Sequence, residues 1–283
     1  MPELPEVETV RRGLEKHLLG REIEEVTVTY DPLLSGERTK ILHTPITSLR
    51  RFGKGLVIDF QNGYSLAVHL KMTGQLVYRT DRISDLPHKH THVQFKFKSQ
   101  SASWQTKVKS EDYLFYSDIR KFGWLQIVRT DKLSELSFFK RLGREPLRDL
   151  TADDLYLLLQ KSKAPIKNIL MQQERIAGIG NIYASEALFL AKIHPLKSAQ
   201  SLTKQETARL LVSIERVFLK ALSKGGASSE NFVNAEGRRG TYQEHFLVYD
   251  RLGKPCSVCR SEIVRLKQAG RSTFLCPNCQ RLS

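Results

Sequence analysis

The sequence predicts an α+β chain: one N-terminal helix, an antiparallel β-sandwich, then a helical domain and a terminal zinc ribbon. Three observations carry that prediction. Apolar residues recur at helical spacing in the opening segment and again beyond residue 131. Between those stretches they alternate with period two, the mark of half-buried strands. The chain's four cysteines form two Cys-x-x-Cys pairs close to its end.

The first segment is residues 1–130. "MPELPEVETVRRGL" begins a helix in which Val7, Val10, Leu14 and Leu18 share one face. Pro5 suits its first turn, where a missing N–H costs nothing, and Gly20 ends it. Alternation follows in Val26/Val28/Tyr30, Leu56/Ile58/Phe60, Leu66/Val68/Leu70, Val93/Phe95/Phe97 and Leu125/Ile127. Asn62-Gly63 between two of these runs marks a tight hairpin. Short strands with short loops argue for an antiparallel sandwich or barrel. The polar stretch from Lys98 to Asp112 reads as a long surface loop.

Residues 131–224 carry the helical period. Thr151 is placed to cap one helix and Pro165 to open the next. "TKQE" at 203–206 is a capping box, followed by a buried stripe of Leu211, Ile214, Phe218 and Leu222. Gly225 and Gly226 stop that helix. Within this segment, "RIAGIGNIYASEALFL" sets Gly178 and Gly180 before a helix beginning near Asn181, a natural cap. Such a helix start can hold an anion on its unpaired N–H groups; equally, the glycines can serve only the turn. Residues 225–248 are rich in Gly, Ser and Asn and read as a flexible loop. Residues 249–283 form the cysteine module.

In that module sixteen residues separate Cys259 from Cys276. Cys256, Cys259, Cys276 and Cys279 can converge as four thiolates on one structural Zn²⁺. A redox Cys-x-x-Cys would use one pair within a βαβ setting. "EIVRLKQAGRSTFL" supplies two strands turning at Ala269-Gly270, hence a ribbon hairpin. Residues 251–283 include seven basic side chains and one acidic one. Arg271 sits just past the turn, where it can project.

The 283 residues suffice for two domains, and 40% hydrophobic with 27% charged residues is an ordinary globular balance. No apolar run approaches the ~20 residues of a membrane-spanning helix. The acidic start lacks a signal-peptide pattern, which predicts a cytoplasmic protein. Lys and Arg number 45 against 30 Asp and Glu, a formal charge of +15. That excess favours a polyanionic partner, because neutralising phosphates releases condensed counterions.

The opening residues pose a chemical question. Removal of Met1 would make Pro2 the terminus. A terminal amine titrates at about 7.7–8.0, so a fraction is neutral and nucleophilic near pH 7. Its secondary amine condenses with an aldehyde to a cationic iminium, an electron sink. Glu3 and Glu6 stand beside it, able to move protons or simply to favour the helix dipole.

Together these pieces resemble the formamidopyrimidine-DNA glycosylase family. The resemblance spans essentially the whole chain, through "MPELPEVETVRRGL", "HLKMTGQL", "HTHV", "DIRKFGWL", "LGREPL", "GIGNIYASEALF" and the C-x2-C-x16-C-x2-C module. It implies a helix–two-turn–helix in the helical domain and a 225–242 loop that covers an extruded base. It implies Pro2 as nucleophile, Glu3 as acid on the sugar ring oxygen, Glu6 as its neighbouring support and Lys54 as a basic group on the phosphate beside the lesion. His90, Lys167, Asn181 and Arg271 are similar to the family's phosphate-contacting residues. Met72, Arg120 and Phe122 match the side chains inserted where the base has left the stack, although Met72 and Phe122 by themselves read as core. Two departures stand out: "DIRKFG" replaces the usual Asp-Pro-Arg-Arg-Phe-Gly, and Gly55 follows Lys54 where a bulky residue is common.

The resemblance thus implies a bifunctional DNA glycosylase and abasic-site lyase acting on oxidised purines. Its only cofactor would be zinc and its partner double-stranded DNA carrying oxidised bases or abasic sites. It would be a monomer, cytoplasmic and associated with the nucleoid through DNA. The alternatives are the endonuclease VIII branch, which prefers oxidised pyrimidines, and a catalytically silent damaged-DNA-binding protein. "PELPE" and the Met72/Arg120/Phe122 set favour the purine branch.

Overall fold

The computed structural model describes residues 1–80, 86–99 and 111–282, so most of the loop expected from Lys98 to Asp112 lies outside the described residues. The chain divides into two compact units: Met1–Lys140 with Gly225–Gly240, and Arg141–Lys224 with Thr241–Ser283.

The first unit opens with α1 (Leu4–Leu18), whose Val7, Val10, Leu14 and Leu18 are all buried. Pro5 lies in its first turn, and Gly20 at φ +75° turns the chain away after it. There follow β1 (Ile23–Val28), β2 (Leu34–Ser35), β3 (Ile46–Phe52), β4 (Gly55–Phe60), β5 (Tyr64–His69), β6 (Gly74–Thr80), β7 (Thr91–Phe97), β8 (Asp112–Asp118), β9 (Trp124–Arg129) and the short α2 (Ser137–Lys140). They form a four-stranded sheet, β1-β7-β8-β6, and a five-stranded one, β2-β9-β5-β4-β3. Among the described residues the strand pairings within these sheets are antiparallel except the two-residue contact of β2 with β9. Leu56, Ile58 and Val68 from one sheet meet Val93, Phe95 and Tyr116 from the other in a single core that α1 closes. This is the expected sandwich.

Two local expectations need correction, and a third is made more specific. Asp112 is not a loop residue: it starts β8, is buried and pairs with Arg21 at 2.6 Å. Tyr30 lies beyond the end of β1 and is exposed, its ring receiving the Lys121 ammonium at 4.2 Å. The Asn62-Gly63 hairpin is present as a three-residue turn, with Gly63 at φ +80° supplying the left-handed residue this loop length requires.

The composition of 225–248 predicts flexibility, yet its middle is anchored within the first unit. Phe232 and Ala235 enter the sandwich core. The Tyr78 N–H donates to the Ala235 carbonyl at 2.8 Å, and Arg79 Nη1 to that of Glu236 at 2.8 Å. Gly13 on α1 makes room: a Cβ there would lie 2.6 Å from that of Ala235. A short cluster of Phe232, Val233 and Ala235 among polar residues gives no sustained periodic signal, which is why composition misled.

The second unit holds α3 (Ala152–Gln160), α4 (Ile166–Leu170), α5 (Asn181–Leu190), α6 (Lys204–Ser223) and the hairpin β10 (Val264–Gln268) with β11 (Arg271–Leu275). Thr151 and Thr203 cap α3 and α6, each accepting the N–H three residues on at 3.1 Å. On α6 the buried stripe includes Leu211, Ile214 and Phe218, but Leu222 is only half-buried and Ala221 takes the inner place. Gly180, in extended backbone, is the residue that caps α5; Asn181 is the first helical residue, its side chain engaged elsewhere. Helices α4 and α5 with the turns between them form the helix–two-turn–helix. Among the described residues, no helix is long and apolar enough to cross a membrane.

Candidate active site and DNA-binding residues

In the first unit the candidate catalytic residues collect at the start of α1. Met1 is exposed, whereas Pro2, Glu3 and Glu6 are buried. Glu6 links two segments: one carboxylate oxygen accepts the Glu3 N–H at 2.8 Å and the other the Ala227 N–H at 2.8 Å. The start of the chain and the start of the 225–240 segment are thereby held by one side chain. Ser228 folds that segment on itself, donating to the Phe232 carbonyl and accepting the Gly240 N–H, both at 2.8 Å.

Lys54 lies in the two-residue turn joining β3 to β4, where Gly53 at φ +56° makes the hairpin possible. Its side chain is buried. The unusual Gly55 is explained by packing. A Cβ there would stand 2.6 Å from the Phe138 ring, so the bulk usual at this position is supplied from α2. Arg51 braces the hairpin, donating to the Gly53 carbonyl at 3.0 Å and to Glu8 on α1 at 3.0 Å. Glu8 also accepts from Arg11 and Arg12, and those cations hold its carboxyl below the usual range against the opposing effect of burial.

His69, across the sheet from Gly55, is buried against Trp124 and Phe138. Its Nδ1 accepts the Lys71 N–H at 2.9 Å. Burial, then the nearby Lys71 and Lys54 charges, pull its pKa down to about 3. The imidazole is therefore neutral at physiological pH. His90 is half-buried at the end of the segment before β7, beside His88. Desolvation and the neighbouring Lys89 lower its pKa as well.

Met72, Arg120 and Phe122 come together on two adjacent loops. Arg120 Nη1 meets the Met72 sulfur at 3.0 Å, and its guanidinium lies 4.6 Å from the centre of the Phe122 ring. Met72 is 37% exposed, Phe122 55% and Ile119 51%, an unusual display of apolar surface next to an arginine. As core residues they would be covered; here they project.

In the second unit Lys167, Asn181 and the ribbon converge. Lys167 is buried, with its ammonium donating to Asn181 Oδ1 at 2.7 Å and Thr273 Oγ1 at 2.8 Å. Asn181 donates to the Ser272 carbonyl at 3.0 Å. Arg271, the first residue of β11, stays exposed beside this cluster. It follows the two-residue turn Ala269-Gly270, both at positive φ as a type I′ hairpin demands.

The four cysteine sulfurs lie within 4.8 Å of one another, with Cys256–Cys279 at 3.9 Å and Cys259–Cys276 at 3.4 Å. Tetrahedral zinc with Zn–S bonds of about 2.3 Å requires S···S separations near ~3.8 Å. The backbone N–H groups of Val258 and Cys279 point at Cys256 and Cys276 sulfurs, as knuckle turns do around thiolates. The donor set fits one structural zinc ion.

Sequence reading passed over Glu186, Asp118, Arg51 and Glu8. Glu186 is fully buried on α5, its carboxylate accepting the N–H groups of Leu247, Val248 and Tyr249 at 2.8–3.0 Å. Burial raises its pKa while those amides pull it back. It ties the chain entering the ribbon to the helix that follows the two turns. A carboxylate inside a motif carries no mark of its hydrogen-bond partners; the only signal was its place among apolar neighbours in "YASEALF".

Residues 1–125 match the Formamidopyrimidine-DNA glycosylase N-terminal domain, 142–233 the Formamidopyrimidine-DNA glycosylase H2TH domain and 253–282 the zinc finger found in FPG and IleRS. A formamidopyrimidine-DNA glycosylase of Desulfitobacterium hafniense is 40% identical over 286 residues, covering 99% of this chain and 100% of that protein. Lactococcus lactis Fpg, solved with DNA containing an abasic site, superposes with a TM-score of 0.88 at 34% identity, covering 99% of this chain and 100% of that one. MutM in complex with carbocyclic 8-oxo-G containing DNA gives 0.87 at 35% identity, with the same coverage. With all three modules matched in order and relatives aligned end to end, the chain belongs to the formamidopyrimidine-DNA glycosylase family.

Proposed function

We propose that the protein is a base-excision-repair DNA glycosylase with abasic-site lyase activity, working through the amine of Pro2. Its relatives are solved on abasic-site and 8-oxo-G DNA, and the same substrate class suits this chain. The observation that carries the mechanism is the clustering of Pro2, Glu3 and Glu6 at one helix start, Glu6 accepting the Glu3 N–H at 2.8 Å.

Once Met1 is trimmed, the Pro2 nitrogen attacks C1′ of the flipped nucleotide as the C1′–N bond to the damaged base breaks. Glu3 delivers a proton to the ring oxygen, the sugar opens, and nitrogen and C1′ share a cationic iminium. That cation acidifies the C2′ protons. Loss of one expels the 3′ phosphate, a second elimination expels the 5′ phosphate, and hydrolysis frees Pro2, leaving a one-nucleotide gap. Lys54, His90, Lys167, Asn181 and Arg271 hold phosphates. Met72, Arg120 and Phe122 fill the vacated stack, apolar groups supporting the kink and Arg120 pairing with the orphaned base. Zinc is structural and enters no step.

The functional segments are 1–130 for catalysis, 131–224 for DNA binding through the helix–two-turn–helix, 225–248 to cover the lesion and 249–283 to grip the duplex. The enzyme acts as a cytoplasmic monomer, nucleoid-associated through DNA. Borohydride treatment during excision tests this reading. An 8-oxoguanine duplex should become covalently joined to the protein, a thymine glycol duplex much less so. Pro2→Gly should lose most of the product. Equal trapping by wild type and Pro2→Gly would overturn it.

A further inference from the structure

One buried carboxylate joins the two loops that bear Met72, Arg120 and Phe122. Asp118, the last residue of β8, is fully buried. Its Oδ1 accepts the Thr73 hydroxyl and, at 3.1 Å, the Arg120 N–H; its Oδ2 accepts the Gly123 N–H at 2.8 Å and faces the Tyr116 hydroxyl at 3.4 Å. Thr73 Oγ1 itself accepts the Arg120 N–H at 3.1 Å. The Asp118 backbone is fixed too, its N–H donating to the His90 carbonyl and its carbonyl lying 3.0 Å from His92 Nε2.

The partners are informative by position. Thr73 follows Met72 directly, and Arg120 and Gly123 bracket Phe122. Between them Lys121 sits at φ +56°, a conformation that side chains avoid, and both flanks of this turn are bonded to Asp118. The space is reserved for this arrangement. A Cβ on Gly123 would fall 1.8 Å from the Tyr116 hydroxyl and 3.0 Å from Asp118 Oδ2, and one on Gly74 would fall 2.9 Å from that same hydroxyl.

We propose that Asp118 is the positioning residue that makes Met72, Arg120 and Phe122 one rigid wedge, and so sets how strictly the enzyme discriminates the base opposite the lesion. The proposal rests on the wedge reading above. A carboxylate accepts on both oxygens; an amide in its place must turn a donor toward either Gly123 or the Thr73–Arg120 pair, releasing one loop.

The test compares excision of 8-oxoguanine opposite cytosine and opposite adenine, with borohydride trapping on a single-stranded abasic oligonucleotide, where no opposite base exists. Asp118→Asn should slow duplex excision by about tenfold and shrink the opposite-base ratio toward that of Arg120→Ala. It should add less than about twofold in the Arg120→Ala background, as expected for two residues acting as one unit. Single-stranded trapping should stay within about twofold of wild type, since the wedge is idle there. Thr73→Val, which removes the hydroxyl shared by the two loops but leaves the Arg120 and Gly123 N–H groups on Asp118, should move the ratio the same way and carries the test if Asp118→Asn fails to fold. A wild-type ratio in the folded variants, or trapping that falls in step with duplex excision, would overturn the proposal. An Arg120→Ala enzyme with an unchanged ratio would remove the wedge reading itself, whereas an impaired Arg120→Ala beside a normal Asp118→Asn would remove only the role of Asp118.

Discussion

Lowering the pH from 7.5 to 5 should destabilise the first unit through His69. In the folded protein burial and the Lys71 and Lys54 charges hold this imidazole near pKa 3, against an ordinary value of 6.5 once the chain unfolds. Because the folded value is the lower one, the contribution is fully present above about pH 6.5 and is lost progressively as pH falls toward 3. At pH 5 the unfolded chain binds the proton and the folded one does not. With one pKa unit equal to ~1.4 kcal/mol, the difference amounts to about 2 kcal/mol. His69→Gln removes the titrating group, so the wild type should lose about 2 kcal/mol more than the variant between the two pH values. Denaturant unfolding followed by Trp124, which lies 5.8 Å from the His69 ring, reads this unit directly when Trp104 is replaced by Phe. An NMR titration gives a second view, with the His69 ring remaining neutral below pH 5. Parallel stability losses in the two proteins, or an imidazole titrating near 6.5, would refute the reasoning.

Two further outcomes follow from the second unit. Chelating the zinc, or Cys259→Ser, should unfold the ribbon and abolish duplex binding while the β-sandwich keeps its own melting transition; undiminished affinity in metal-free protein would contradict the role given to the ribbon. Glu186→Ala strands three backbone amides and should cost about 3 kcal/mol in denaturant unfolding, with Glu186→Gln recovering part of it; a loss below ~1 kcal/mol would show that water replaces the carboxylate.

The sandwich was legible wherever one face of a strand meets the core and the other does not. That holds for β1, and α1 shows the corresponding helical stripe. Strand β8, "DYLFYSD", was not picked out because its large apolar residues run without a break: Leu114 and Tyr116 point into the main core, while Tyr113 and Phe115 join Val77 and Leu86 in a second cluster outside it. Such a strand has no period-two signal. β3 was obscured differently, by arginines whose ion pairs with Asp59 and Glu8 satisfy them at the sheet surface.

The candidate site divides along the same line. The zinc ligands could be read from spacing alone, because two-residue knuckles admit few other geometries. The chemistry of a Pro2 amine could be posed from the residues, whereas Lys54 and the Met72–Arg120–Phe122 set needed the family resemblance, since nothing in a lone methionine or phenylalanine marks it as exposed. What neither route reached were the buried anions. Glu8, Asp118 and Glu186 each gather donors from segments distant in the chain. Their partners exist only in the folded molecule.

The most direct measurement is mass mapping of the borohydride-reduced cross-link formed on an 8-oxoguanine duplex. The account predicts deoxyribose attached to the N-terminal peptide at Pro2, in protein from which Met1 has gone. A cross-link on a lysine side chain such as Lys54, or full trapping by protein that still carries Met1, would contradict it.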